Sequence, residues 1–344
     1  MQFALTVKLL ANMHDLNNER AEEIRRIPLI YMTKDGFKLI EEAVAVSGVM
    51  LKHWHAAYLS ERAKSLGIKL CPLCERGEAI RLPPADALTE EWLKVSKDRF
   101  NEYKETIGKD EEEIIKMCIG EDVHGFLRTA GTLLRRESLI KFSWLLPVYC
   151  PIEDMPTQFR VVQHTRNIRE VPKKPETLAQ MQMPYPRSYA DGIYGFTSVA
   201  NLGNIGVSFS SRKEVLGENE KKKRISAVIE AFVPMLTGAC GASLARALPA
   251  AKPLEVIVIV SKEAKISFPA PVHPMYEEYF ELNKGIFESF SKVFNVDVRM
   301  YAYGIGKNEV EGKFAIESVE NPVEAFAKAI SHLNLDECGR SPCQ

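Results

Sequence analysis

Residues Ile27 to His55 read IPLIYMTKDGFKLIEEAVAVSGVMLKHWH. Lys34-Asp35-Gly36 divides two runs, 27–33 and 37–46, that alternate or are apolar. Asp-Gly between such runs is a hairpin signal. Ser47-Gly48 ends the strand pattern and opens a helix to about Ala63, with Val46, Met50, Trp54, Ala57 and Tyr58 at helical spacing. A hairpin feeding directly into a helix gives the first unit of a mixed fold.

Upstream, residues 2–10 alternate (Phe3, Leu5, Val7, Leu9) and read as a strand, followed by a polar loop from Asn12 to Arg26. Downstream, 67–121 changes character. Pro83-Pro84 breaks the chain, and charged helical stretches follow near 88–106 and 110–118. From 85 to 123 there are 12 acidic and 6 basic residues, a net of −6, so this inserted subdomain masks a basic excess elsewhere. Strand patterns return at 138–148, 157–165, 188–202 and 204–210. Helices are expected at 218–236, 275–293 and 322–333, with strands at 254–261 and 296–303. Residues 167–187, with Pro172, Pro175, Pro184 and Pro186, suit an extended arm. Strands separated by helices, with hairpins and insertions, indicate an α+β sheet with helices on one face.

The 344 residues are 46% hydrophobic and 26% charged, as befits a globular chain with a sizeable core. Lys8 interrupts the apolar start and no basic run precedes it, so a strand is expected there rather than a signal peptide, and the protein is expected in the cytoplasm, with no membrane partner. Seven cysteines do not suggest a secreted disulfide scaffold. Cys71-Pro-Leu-Cys74 with Cys338 and Cys343 would supply four thiolates to a structural zinc if the pairs met. The alternative is solvent-side thiols in a loop and a frayed tail. The formal net charge of −1 gives no overall basic excess, so a nucleic-acid partner would have to be held by local strips.

Five stretches could carry such a strip. At Ser47–His55 a capped helix start offers free amides and its dipole to phosphate, with Gly48, Lys52 and His55 expected on one solvent-facing side and His53 beside them. Asp122-Val-His124-Gly125-Phe126 precedes Arg135-Arg136-x-Ser138, and paired arginines suit phosphate contacts. Thr157 to Lys174 carries Arg160, Arg166, Arg169, Lys173 and Lys174 against Glu170, net +4, with His164 inside it. Arg187-x-Tyr189-Ala-x-Gly192-x-Tyr194-Gly195-Phe196 sets aromatics beside arginine and glycine. Gly238-Ala-Cys-Gly241-Ala-Ser243-Leu-Ala-Arg246 allows close backbone approach but fits neither a Walker nor a Rossmann spacing. Neither G-x-S-x-G nor H-E-x-x-H occurs. Asp15, Glu19, Glu22 and Glu23 form a charged loop that could hold a metal, although such loops are more often only charged.

In this order the motifs resemble the CRISPR-associated backbone protein of Cascade complexes, the DevR-like branch of the repeat-associated mysterious protein superfamily, and most of all its type I-A members. The resemblance runs from Ala11-Asn12 to the last helix. It implies a modified RRM (ferredoxin-like) core with large insertions, shaped as palm, finger and thumb. It divides the chain into a first half-core with a hairpin insertion (1–66), a helical finger (67–121), core strands (122–166), a thumb arm (167–187), a second half-core (188–335) and a tail (336–344).

The resemblance further implies a non-catalytic subunit that polymerises head to tail along a guide RNA (crRNA) and presents its bases to a target DNA strand. Its other partners would be further Cascade subunits and a helicase-nuclease. The implied RNA-binding residues are Asn12, Asn17, Ser47, Gly48, Lys52, His53, His55, His124, Arg135, Arg136, His164, Arg166, Arg187, Tyr189, Gly238, Gly241 and Arg246. Met181, Met183 and Pro184 would form the thumb's apolar wedge. No catalytic residue, metal or cofactor is expected. Type III relatives cut RNA with an aspartate in the loop after the first strand, where Asp15 stands, so a metal-dependent endoribonuclease is the alternative. A regulatory protein without nucleic acid is the other.

Overall fold

The computed structural model describes residues 1–14, 18–20, 23–33, 36–78, 80–83, 87–148, 157–164, 185–237 and 248–335. The chain opens with β1 (Gln2–His14), the short pair β2 (Asn18–Arg20) and β3 (Glu23–Ile24), and the hairpin β4 (Arg26–Thr33) and β5 (Gly36–Val44). Helix α1 (Gly48–Ser65) follows. The stretch read above as an insertion, continued to residue 124, holds α2 (Pro72–Glu75), α3 (Glu90–Leu93), α4 (Lys97–Gly108), α5 (Glu111–Met117) and α6 (Ile119–His124). Next come β6 (Phe126–Arg128), β7 (Leu134–Arg136), β8 (Ile140–Phe142), β9 (Leu146–Pro147), β10 (Thr157–His164) and β11 (Tyr185–Ala200). Helix α7 (Glu218–Glu230), β12 (Ala250–Ser261), α8 (Tyr279–Phe294), β13 (Val298–Tyr303), β14 (Glu309–Glu311), β15 (Phe314–Val319) and α9 (Pro322–His332) complete it.

A nine-stranded sheet organises these elements in the order β10-β11-β1-β12-β13-β15-β14. Among the described residues only β13 and β15 run parallel; the architecture is α+β with a mixed sheet. β1 pairs antiparallel with β11 on one side and β12 on the other. The far edge of β11 is covered in turn by β10 at its start, β9 in its middle and β8 at its end.

Both faces of the central strands are buried. Phe3, Leu5, Val7 and Leu9 of β1 and Val256, Val258 and Val260 of β12 join one core with α1, α7 and α9. Ala4, Ile257 and Ile259 point the other way, into a second core with Phe287 and Phe290 of α8. A strand buried on both sides reads as a continuous apolar run, and Val256 to Val260 is one. Helices therefore lie on both faces, not on one as expected: the apolar stripe of α8 needs its own cover, and the second face of the sheet supplies it, chiefly through β13 and β15.

Other differences are local. β1 runs on to His14, so Asn12 is a strand residue opposite Ala250, not the start of a loop. The stretch 204–210 is a turn following a 3-10 segment at Leu202–Asn204, with one bridge from Val207 to Glu214. The arm expected at 167–187 overlaps β11, which begins at Tyr185; its residues 167–184 lie outside the described residues. No helix among the described residues is long and apolar enough to cross a membrane.

Candidate nucleic-acid interface

The head of α1 is built by its cap. Ser47 has extended backbone, and its Oγ accepts from the Met50 amide at 3.2 Å, satisfying one of the donors a helix start leaves open. Gly48 is buried against the β8–β9 connection. A Cβ there would lie 2.6 Å from the Phe142 carbonyl oxygen and 2.8 Å from that of Ser143, so only glycine seats the helix so closely.

The helix is rotated from the expected orientation. Gly48, Leu51, Trp54, His55, Leu59 and Ala63 are buried, while Lys52 is half-buried and His53 exposed. The cause is crowding, since α1 touches β8, α7, α2 and α6 rather than one partner. His55 thus points inward, where its ring packs against Phe142 and Phe232. Its Nε2 lies 3.0 Å from the Val228 carbonyl, which can only accept, so Nε2 carries the proton. Its Nδ1 then accepts from His124 Nε2 at 3.1 Å, leaving the buried His124 Nδ1 without a partner among the described residues. Burial pushes His55 down to about 4 and His124 well below the usual imidazole value. Two neutral, enclosed imidazoles offer no charge to a phosphate, which corrects the expectation for His55 and His124.

Lys52 is spent in part on α6. Its Nζ donates to the His124 carbonyl at 2.9 Å, in the last turn of that helix, where a cation meets the negative dipole end. Burial, with Arg81 nearby, lowers its ammonium to about 8 against the pull of Glu121. It remains mostly charged at neutral pH and keeps two donors.

Arg136 stands in a buried network rather than on the surface. Its Nη2 meets Asp122 Oδ1 at 2.7 Å and its Nη1 meets Glu111 Oε1 at 2.7 Å. Further bonds reach the carbonyls of Asp122 and Val207, both at 2.8 Å. Arg224 of α7 closes the group with Nη1 3.0 Å from Asp122 Oδ2. Ser208 Oγ and the Ser210 amide donate to Glu111 Oε2, and the Gly206 amide to Asp122. Two guanidiniums and two carboxylates with this many hydrogen bonds form a satisfied internal site, and they tie the insertion, β7, the turn after β11 and α7 together. The expected phosphate contact at Arg136 is therefore corrected. Gly125 belongs to the same joint: its φ is +73°, and a Cβ would lie 2.4 Å from the Arg136 carbonyl oxygen. Arg135, one residue earlier in strand alternation, is exposed and paired with Glu137.

Tyr189 is also buried, so its ring is not open for stacking on a base. The β10–β11 ribbon sets Arg160 opposite Tyr189, Val162 opposite Arg187 and His164 opposite Tyr185. Asp15, Asn17, Arg166, Met181, Met183, Pro184, Gly238, Gly241 and Arg246 lie outside the described residues. Among the described residues, the structure keeps Ser47, Lys52, His53 and Arg135 at least partly open and leaves Asn12 half-buried. Arg224 and Glu111 were missed by sequence reasoning; a lone arginine in a helix rich in lysine gives no sign that it turns inward.

The family described as CRISPR-associated negative auto-regulator DevR/Csa2 matches residues 5–284. The chain belongs to the DevR/Csa2 family. A relative from Methanocaldococcus jannaschii, described as CRISPR-associated protein Cas7/Cst2/DevR, is 32% identical across 97% of this chain and 100% of its own. A DevR/Csa2 relative from Saccharolobus solfataricus, described as CRISPR-associated aCascade subunit Cas7/Csa2 2, is 26% identical across 79% and 82% of the two chains. A solved chain described as CRISPR RNA-guided surveillance complex, pre-nicking, covers 97% of this DevR/Csa2 chain and 100% of its own, with TM-score 0.49 and 10% identity.

Proposed function

We propose that this chain is a crRNA-binding backbone subunit of a type I Cascade surveillance complex, not an enzyme. The observation that carries the reading is membership of the DevR/Csa2 family over most of the chain, together with a relative described as an aCascade subunit. A guide that is read by pairing has to be gripped along its sugar-phosphate chain, with base edges left free. The head of α1 with Ser47, Lys52 and His53, and the β10–β11 ribbon with Arg187 and His164, are the parts suited to that grip.

The palm is an RRM-like core. The strand order β8-β11-β1-β12, antiparallel throughout, with α1 and α7 sharing the core on one face, supports this as a β-α-β-β-α-β layout. The 67–121 insertion is the finger and 167–187 the thumb, whose apolar wedge is Met181, Met183 and Pro184. Copies assemble head to tail along the RNA, present its bases to target DNA, and meet further Cascade subunits and a helicase-nuclease. The β4–β5 hairpin supports assembly. The cross-strand pairs Ile30–Leu39 and Met32–Phe37 are between 57% and 80% exposed, an apolar face a neighbour would cover.

Purification tests the reading. The chain made with its complex should carry bound small RNA and an absorbance ratio shifted toward 260 nm; an RNA-free monomer would favour a regulatory protein instead. Regular cuts in complementary RNA with magnesium, abolished by Asp15→Ala, would overturn the non-catalytic assignment in favour of a type III-like endoribonuclease.

A further inference from the structure

The insertion begins and ends on sulfur. Cys71 caps α2, with its Sγ accepting from the Cys74 amide at 3.5 Å. Cys118 lies between α5 and α6. All three thiols are buried, and their sulfurs lie within 4.8 Å of one another. Glu121, three residues after Cys118, brings Oε1 to 3.9 Å from Cys71 Sγ and 4.0 Å from Cys74 Sγ. Its second oxygen, Oε2, is fully buried and has no hydrogen-bond partner among the described residues. Cys-x-x-Cys at the insertion's start thus faces Cys-x-x-Glu at its end.

We propose that Cys71, Cys74, Cys118 and Glu121 bind one divalent cation of the zinc class. Thiolates select zinc over magnesium or calcium. A tetrahedral site with Zn–S of about 2.3 Å and Zn–O of about 2.0 Å has S···S edges of about 3.8 Å and S···O edges of about 3.5 Å. The cluster is therefore the size of a single ion. Four protein ligands leave no open position, which marks a structural site rather than a catalytic one.

The surroundings are built for it. Arg81 Nη1 donates to Cys74 Sγ at 3.3 Å, a cation beside a site that would carry excess negative charge. Gly120 makes the room: a Cβ there would lie 2.5 Å from Cys74 Sγ. A disulfide between any two of the cysteines would leave the third thiol and the orphaned carboxylate oxygen unexplained. Solvent-side thiols are ruled out by burial, and Cys338 and Cys343 lie outside the described residues. The apolar cluster of the insertion is small, built on residues such as Leu73, Leu93, Phe100, Ile107 and Ile114. A cation joining residues 71–74 to 118–121 closes the base of a long excursion, where a clip gains most.

Metal analysis of the full-length chain, purified without chelator, tests this. About one zinc per chain is expected, with cobalt taking its place and giving the visible bands of a tetrahedral thiolate site. Cys118→Ser should lose the metal, Glu121→Gln should weaken cobalt affinity at least tenfold, and a Cys338→Ser/Cys343→Ser chain should keep it. Removing zinc by chelation should lower the melting temperature, and zinc alone should restore it. Absence of zinc together with failure to take up cobalt overturns the proposal. So does full retention by Cys118→Ser, loss in the Cys338/Cys343 variant, or a disulfide among the three cysteines. Should Cys118→Ser not fold, the cobalt spectrum of the unaltered chain decides: tetrahedral thiolate bands sustain the site and their absence removes it.

Discussion

Arg136 and Asp122 meet at 2.7 Å with neither side chain exposed to water. Removing one partner leaves the other charge buried and uncompensated, which costs about 3–5 kcal/mol. Arg136→Met and Asp122→Ala should each lower stability by roughly that amount in urea denaturation. Arg135→Ala, whose ion pair with Glu137 is exposed, should change it by less than about 0.5 kcal/mol. Equal effects at 135 and 136 would contradict the internal role of Arg136.

Acid should act on the fold through two buried histidines. Burial pushes His55 and His273 down to about 4, and each is hydrogen-bonded in its neutral form, His273 through Trp144 and Met275. The unfolded chain binds protons near 6.5, so below that pH it takes up more protons than the fold does. The histidines' contribution is fully present above about 6.5 and is lost as pH drops toward 4, by up to about 3 kcal/mol each. Urea midpoints measured from pH 7.5 to 4.5 should decline across this window, and His273→Gln should flatten the decline.

Much of this was legible in the sequence. The β4–β5 hairpin, the Ser47 cap, the helices within 88–118 and the buried strand near 254–261 all stand where residue pattern put them. Local chemistry decides such elements. The short β14–β15 hairpin escaped notice because Glu309, Glu311 and Lys313 dilute its strand pattern, although Gly312, at φ +60°, marks its turn. The rotation of α1 and the inward turn of Arg136 and His124 were not readable. Each depends on several elements arriving from distant sequence, and an arginine buried beside two carboxylates has the same local sequence as a solvated one.

The hairpin face should matter to assembly and not to folding. Phe37 is 80% exposed, so Phe37→Asp should leave stability within about 0.5 kcal/mol. Sedimentation of the RNA-loaded protein should show shorter assemblies than the unaltered chain. Unchanged assembly length would take this face out of the subunit contact.

Lys52→Ala and Arg187→Ala should each weaken RNA binding for every sequence alike, lowering the slope of log affinity against log salt by about one. A loss confined to certain bases would indicate base-edge readout at that residue.

The most direct measurement is the affinity of the purified chain for a guide RNA and for a base-scrambled RNA of equal length, across a salt series. Grip on the sugar-phosphate chain predicts nearly equal affinities that fall together, steeply and linearly in log salt. Affinity that is insensitive to salt, or strong for one sequence alone, would contradict it.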